Sequence, residues 1–142
     1  MRRNASIIDD LARVPMFADC SNRELQHVAK LLTEIDVQAG RQLTTEAEAG
    51  HEFFIVLDGN AEVTIDGRTV ATLTSGDYFG EVALLGHGPR TATVTALTAM
   101  TLAVVGQREF SALLDEAPAL TRSMLNALAR RLSDHDTAVL TA

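Results

Sequence analysis

Within FGEVALLGHGPRTATV, residues 79–94, a carboxylate and a guanidinium stand at either end of a short apolar run. Glu81 follows Gly80, and Arg90 opens a Thr/Val segment after a loop broken by Gly86, Gly88 and Pro89. Gly80 allows a backbone turn that a residue with a Cβ resists, and Glu81 to Leu85 suffices for one helical turn. The first N–H groups of such a turn lack internal partners and carry partial positive charge, which stabilises an oxyanion. Arg90 can add a bidentate, charge-assisted bond to the same anion. Glu81 repels an anion but accepts well from hydroxyl groups. A phosphate diester beside a hydroxyl satisfies this set better than free phosphate does. Taken singly, each residue has a plainer reading: a turn glycine, an N-terminal helix acid, an arginine paired only with Glu81.

The surrounding text must supply elements that hold these groups. Residues 1–35 read as helices: Ile7, Ile8 and Leu11 form an amphipathic turn ending before Pro15. Ser21-Asn22-Arg23-Glu24 is a capping box ahead of Leu25, Val28, Ala29, Leu32 and Ile35 at helical spacing. Residues 36–105 change to short strands between turns. Ala61, Val63 and Ile65 alternate with polar residues, and Asp66-Gly67 signals a hairpin. Glycines recurring through this stretch, Gly40, Gly50, Gly59 and Gly76 among them, predict a closed or two-sheet antiparallel β-structure. Residues 106–142 are helical again. Phe110, Leu113 and Leu114 lead to a stop at Pro118, and Leu120, Met124, Leu128 and Leu132 then form one long stripe. That stripe packs on the β-body or on a second chain. The expected architecture is one α+β, mainly β domain: a jelly-roll-like antiparallel β-roll of about eight strands between N-terminal helices and a C-terminal helix pair.

Composition bounds the function. The chain has 142 residues, 46% apolar and 22% charged, with a net charge of −7, an ordinary globular balance. That charge disfavours non-specific nucleic-acid binding, so an anion needs a local, preorganised pocket. Cys20 is the only cysteine, which rules out an internal disulfide and, with no signal peptide, fits a reducing cytoplasm. No apolar run is long enough for a membrane helix. Eleven arginines against one lysine point to GC-rich, bacterial coding.

The order Phe79-Gly80-Glu81-Val82-Ala83-Leu84, a short loop, then Pro89-Arg90-Thr91-Ala92-Thr93-Val94 resembles the phosphate-binding cassette of the cyclic nucleotide-binding domain family, of the catabolite activator and protein kinase A regulatory subunit type. AGHEFFIVLDGNAEV, residues 49–63, is similar to the family's glycine-punctuated strand pair. The resemblance implies a binding set of Gly80, Glu81, Val82, Ala83, Arg90, Thr91 and Ala92 within a cassette at 79–92. Glu81 would accept from the ribose 2′-hydroxyl and Arg90 would meet the exocyclic phosphate oxygens. Backbone N–H groups of Ala83, Thr91 and Ala92 would add donors. Thr91 stands where a hydroxyl can reach the phosphate or a guanine edge, leaving cAMP and cGMP both open, with cAMP favoured. The purine lid would come from somewhere within 127–135.

Other readings fit less well. A cupin-like metal enzyme needs clustered histidines, and His27, His51, His87 and His135 are scattered. There is no Ser/His/Asp arrangement, P-loop or dinucleotide fingerprint, so no enzyme, metal or cofactor is expected. A ligand-free interaction module of the same fold has no use for both Glu81 and Arg90. Only 24 residues follow Pro118, and they show no DNA-recognition helix. The expected output is movement of the C-terminal helix about Pro118 towards an effector protein or a second copy, in a stand-alone sensor.

Overall fold

The computed structural model describes residues 4–86 and 88–134. Helix α1 (Asn4–Ala12) is followed by a 3-10 turn, Pro15–Phe17, and by α2 (Asn22–Leu31). The predicted capping box forms at α2: Ser21 Oγ accepts from the Glu24 N–H at 3.1 Å, and Glu24 Oε1 accepts from the Ser21 N–H at 3.0 Å. The helical reading through residue 35 is corrected. α2 stops at Leu31, Leu32 is extended (ψ 157°), and Thr33–Val37 is strand β1. Ile35 satisfies both periods, three on from Leu32 and two before Val37. Pairing with Leu102 of the last strand decides for β.

Strands β2 (Gln42–Thr44), β3 (Glu52–Asp58), β4 (Ala61–Ile65), β5 (Arg68–Leu73) and β6 (Tyr78–Phe79) precede the short helix α3 (Glu81–Gly86). Strands β7 (Thr93–Ala96) and β8 (Met100–Gly106) follow, then α4 (Gln107–Glu116) and α5 (Pro118–Asp134). The eight antiparallel strands form two four-stranded sheets, ordered β1-β8-β3-β6 and β2-β7-β4-β5, which is the β-roll expected. Asp66 (φ 52°) and Gly67 (φ 77°) make the β4–β5 turn, the paired positive φ values of a hairpin turn that follows strand twist.

One strand builds two cores. Successive strand side chains point to opposite faces, so Phe54 and Val56 of β3 join Phe79, Val94 and Leu102 between the sheets. Phe53 and Ile55 face the helices, among Phe17, Leu25, Phe110, Leu113 and Leu120. FFIV is unbroken because both faces of β3 are covered. Phe54 stacks on Phe79 with ring centroids 4.7 Å apart, which seats the start of the cassette. Segment 80–92 therefore crosses from the first sheet, at β6, to the second, at β7.

The stripe on α5 packs less on the strands than expected. Leu120 and Met124 are buried, α5 lies against the 3-10 turn and α4, Leu125 is exposed, and Leu128 is half-buried. The side chain of Leu132 lies outside the described residues. Among the described residues, no helix is long and apolar enough to cross a membrane.

Candidate functional site

At the sheet crossing, Gly80 has φ +97°. A Cβ there would sit 2.7 Å from the Glu52 carbonyl oxygen and 2.8 Å from Arg90 Nη1, so glycine is needed for backbone and for space. Gly50 meets the same side chain: a Cβ would come within 2.5 Å of Arg90 Nε. Two glycines thus vacate the volume that the guanidinium occupies.

Arg90 is buried (7% exposed). Its Nη1 donates to the Gly80 carbonyl at 3.2 Å and its Nη2 to the Glu52 carbonyl at 2.8 Å, and the guanidinium lies 5.8 Å from the Phe54 ring centroid. The reading of Arg90 as a partner of Glu81 alone is corrected: Nη1 and Nη2 each reach a backbone carbonyl oxygen. Burial pushes the guanidinium pKa down, and the Glu52 and Glu81 carboxylates act against that. Arginine's ordinary pKa is so high that the charge persists. A guanidinium has five N–H donors, more than two carbonyls use.

The Arg90 backbone is held as well. Its N–H donates to the Glu48 carbonyl at 2.8 Å, and its carbonyl accepts from the Ala47 N–H at 2.9 Å. Ala47 adopts φ 71° to do this, a left-handed conformation costly for a residue with a Cβ. Beyond Arg90, Thr93 Oγ1 accepts from the Glu46 N–H at 2.9 Å. Thr44 Oγ1 bonds to Ala92 and Val94.

A cavity of about 360 Å³ opens beside this assembly, lined by Ala47, Ala49, Gly50, His51, Ala83, Gly88, Pro89 and Gln107. This falls within the range of roughly 300–1,000 Å³ usual for small-molecule sites. A smaller recess of about 200 Å³ shares Ala49 and His51 and reaches Thr44, Glu48, Glu52 and Arg90. Of the predicted residues, Gly80, Glu81, Ala83 and Arg90 gather here, with Glu81 buried (4% exposed). Val82 is exposed on α3, Thr91 is exposed, and Ala92 is half-buried.

Among the histidines, His27 lies on α2 with Nδ1 3.5 Å from Glu116 Oε2, and His51 lines both cavities. His87 and His135 fall outside the described residues, and with His135 the end of the predicted lid range. Sequence reasoning missed Thr44, Ala47 and the space-making role of Gly50. Only Gly50 carried a signal, as one glycine in the punctuated strand pair.

The profile of the cyclic nucleotide-binding domain family matches residues 34–117. The chain belongs to that family. It is 47% identical over 106 residues to a cAMP-dependent protein kinase regulatory subunit of Yarrowia lipolytica, covering 73% of this chain and 28% of that protein. The chain thus spans under a third of the length of that curated relative. A solved PKAR CBD2 with Sp-2Cl-cAMPS bound superposes with a TM-score of 0.79 at 32% identity, covering 96% of this chain and 95% of the other. The catabolite activator protein of Thermus thermophilus superposes with a TM-score of 0.78 at 26% identity, covering 84% of this chain and 59% of the other. The cyclic nucleotide-binding domain described here is a binding domain homologous to kinase regulatory subunits.

Proposed function

We propose that this chain by itself binds a cyclic purine nucleotide, cAMP in preference to cGMP, through Gly80, Glu81, Val82, Ala83, Arg90, Thr91 and Ala92. The observation that carries the reading is Arg90, a buried cation held beside buried Glu81 at the edge of a cavity in a chain of net charge −7. In this arrangement the guanidinium donors not spent on carbonyls meet the exocyclic phosphate oxygens. N–H groups of Ala83, Thr91 and Ala92 add donors around the same phosphate. Glu81 accepts from the ribose 2′-hydroxyl, so one ligand satisfies both charged groups. The Sp-2Cl-cAMPS carried by the PKAR CBD2 neighbour and the cAMP-dependent kinase relative support the preference for cAMP.

Binding is read out by movement of α5 towards an effector or a second copy. α4 ends at Glu116, Ala117 is non-helical (φ −127°, ψ 73°), and Pro118 starts α5, so the helices are already separate bodies at a proline break. A nucleotide shifts α5 only if it binds one position of the helix more tightly than the other. The Leu120 and Met124 side chains are core, so removing all of α5 would strip the cluster around Phe17 and Leu113 of its cover. Truncation beyond Leu125 is the cleaner probe of the lid.

Calorimetric titration with cAMP and cGMP side by side tests the reading. Saturable binding with cAMP tighter is expected; no heat with either, and no change in melting midpoint, leaves the ligand-free interaction module. Thr91→Ala weakening cGMP more than cAMP would place that hydroxyl on the base, whereas equal losses would place it on the phosphate. Hydrogen exchange across residues 110–134 should change on saturation, and equal exchange overturns the α5 mechanism.

A further inference from the structure

Among the described residues, three polar or charged side chains are buried: Thr44, Glu81 and Arg90. Two belong to the cassette. The third lies on β2, outside the motif.

Thr44 Oγ1 donates to the Ala92 carbonyl at 3.0 Å and accepts from the Val94 N–H at 3.2 Å. The β2–β7 register slips between Gln42 and Thr44, so regular ladder pairing is interrupted where the cassette enters the second sheet. The hydroxyl fills that gap, because it donates and accepts through one atom. Ala92 and Val94 are thus gripped through one side chain. Upstream, Ala47 and Glu48 hold the Arg90 backbone. The peptide units of Thr91 and Ala92 lie between these two clamps, both built from residues 44–48.

We propose that Thr44 is a positioning residue of the nucleotide site. It orients the Arg90–Ala92 peptides so that the N–H groups of Thr91 and Ala92 converge with the Arg90 guanidinium on one phosphate. The inference rests on the cyclic-nucleotide reading and deepens it. The Thr44 hydroxyl is engaged by the Ala92 carbonyl and the Val94 N–H, so it acts through the backbone. Small displacements of preorganised donors are costly, because their value depends on distance and angle.

The test uses the full chain with cAMP. Thr44→Val keeps the shape and removes the hydroxyl, leaving the Ala92 carbonyl and Val94 N–H without that partner. Thr44→Ser keeps the hydroxyl. The Val variant should lose about tenfold in cAMP affinity and the Ser variant stay within about twofold of the parent. Amide exchange at saturating cAMP, compared between sites, separates a local effect from general destabilisation, which lowers protection throughout. Protection at Thr91 and Ala92 should fall in the Val variant while that at Ala83, donated from α3, is retained. Thr44→Ala carries the same test if Val is not accommodated. Parental affinity with only a lowered melting midpoint, a loss that Ser does not rescue, or equal loss of protection at Ala83 overturns the proposal. A parent that binds neither cAMP nor cGMP overturns the nucleotide reading, and the inference falls with it.

Discussion

Arg90 at the cassette and Leu120 at the α4–α5 junction are both buried, at 7% and 0% exposure, yet they are held by different means. Around Arg90 the bonds have direction: guanidinium to the carbonyls of Gly80 and Glu52, backbone to Ala47 and Glu48. Leu120 shares an apolar cluster with Phe17, Leu113, Ala117 and Met124. The polar ties nearby include Thr121 Oγ1 donating to the Leu114 carbonyl at 2.8 Å and contacts of Cys20 and Glu24 with the Leu120 and Ala119 backbone. Hydrogen bonds lose their strength steeply with angle, whereas apolar burial is non-directional and scales with area. A junction packed mainly by apolar contact can slide at low cost; a cradle of hydrogen bonds must keep its shape or fail. Under the proposed function, the first lies where a helix would move and the second where a phosphate would be recognised.

The contrast is broken most severely at Arg90. Arg90→Ala should weaken cAMP binding by about 2–5 kcal/mol, since a desolvated charge loses its partner. It should also lower the melting midpoint without ligand, because two carbonyls lose their donor. Arg90→Lys should weaken binding too, a point charge lacking the fork. Titration and melting of both variants check this, and parental binding by Arg90→Ala would refute the pocket assignment. Next comes Leu120→Ala, expected to cost about 2–4 kcal/mol of stability through cavity formation. Its cAMP affinity should change far less than that of Arg90→Ala. Chemical denaturation and titration of the same sample give both numbers, and a binding loss equal to that of Arg90→Ala would erase the distinction between the regions.

Smaller effects sharpen the comparison. Ala47→Gly should raise stability by up to about 1 kcal/mol, because relief of the left-handed strain exceeds the added chain entropy. A lowered midpoint would mean that the φ of 71° is not strained. The weakest effect lies at the α2 cap, whose Glu24 carboxyl also meets the Ala119 backbone at the start of α5. The hydrogen bond from the Ser21 N–H holds the Glu24 carboxyl below its ordinary value of 4.5. A lowered folded pKa contributes stability that is present above the unfolded value and is lost as pH falls through the folded one. The midpoint difference between parent and Glu24→Ala should therefore be largest near neutrality and vanish in acid; a constant difference would assign the effect to helix propensity instead.

By itself, the sequence determined whatever depends on neighbours along the chain. The capping box at Ser21 and Glu24, the Asp66-Gly67 turn and the break at Pro118 each follow from local backbone chemistry. The cassette was legible for the same reason: Gly80, Glu81 and Arg90 lie on one short segment whose order carries the chemistry. The tertiary structure alone decided what depends on partners far apart. Ile35 fits a helical and an alternating pattern equally, and only Leu102 across the ladder assigns it to β1. Gly50 looks like any turn glycine until Arg90 fills the space beside it. Thr44 is an ordinary strand threonine until the chain returns, 48 residues later, with the Ala92 carbonyl that its hydroxyl meets. Local pattern records propensity and periodicity, which decay within a few residues. A hydrogen bond closed across a sheet depends on register and bulge, and those are set by how two distant strands pack.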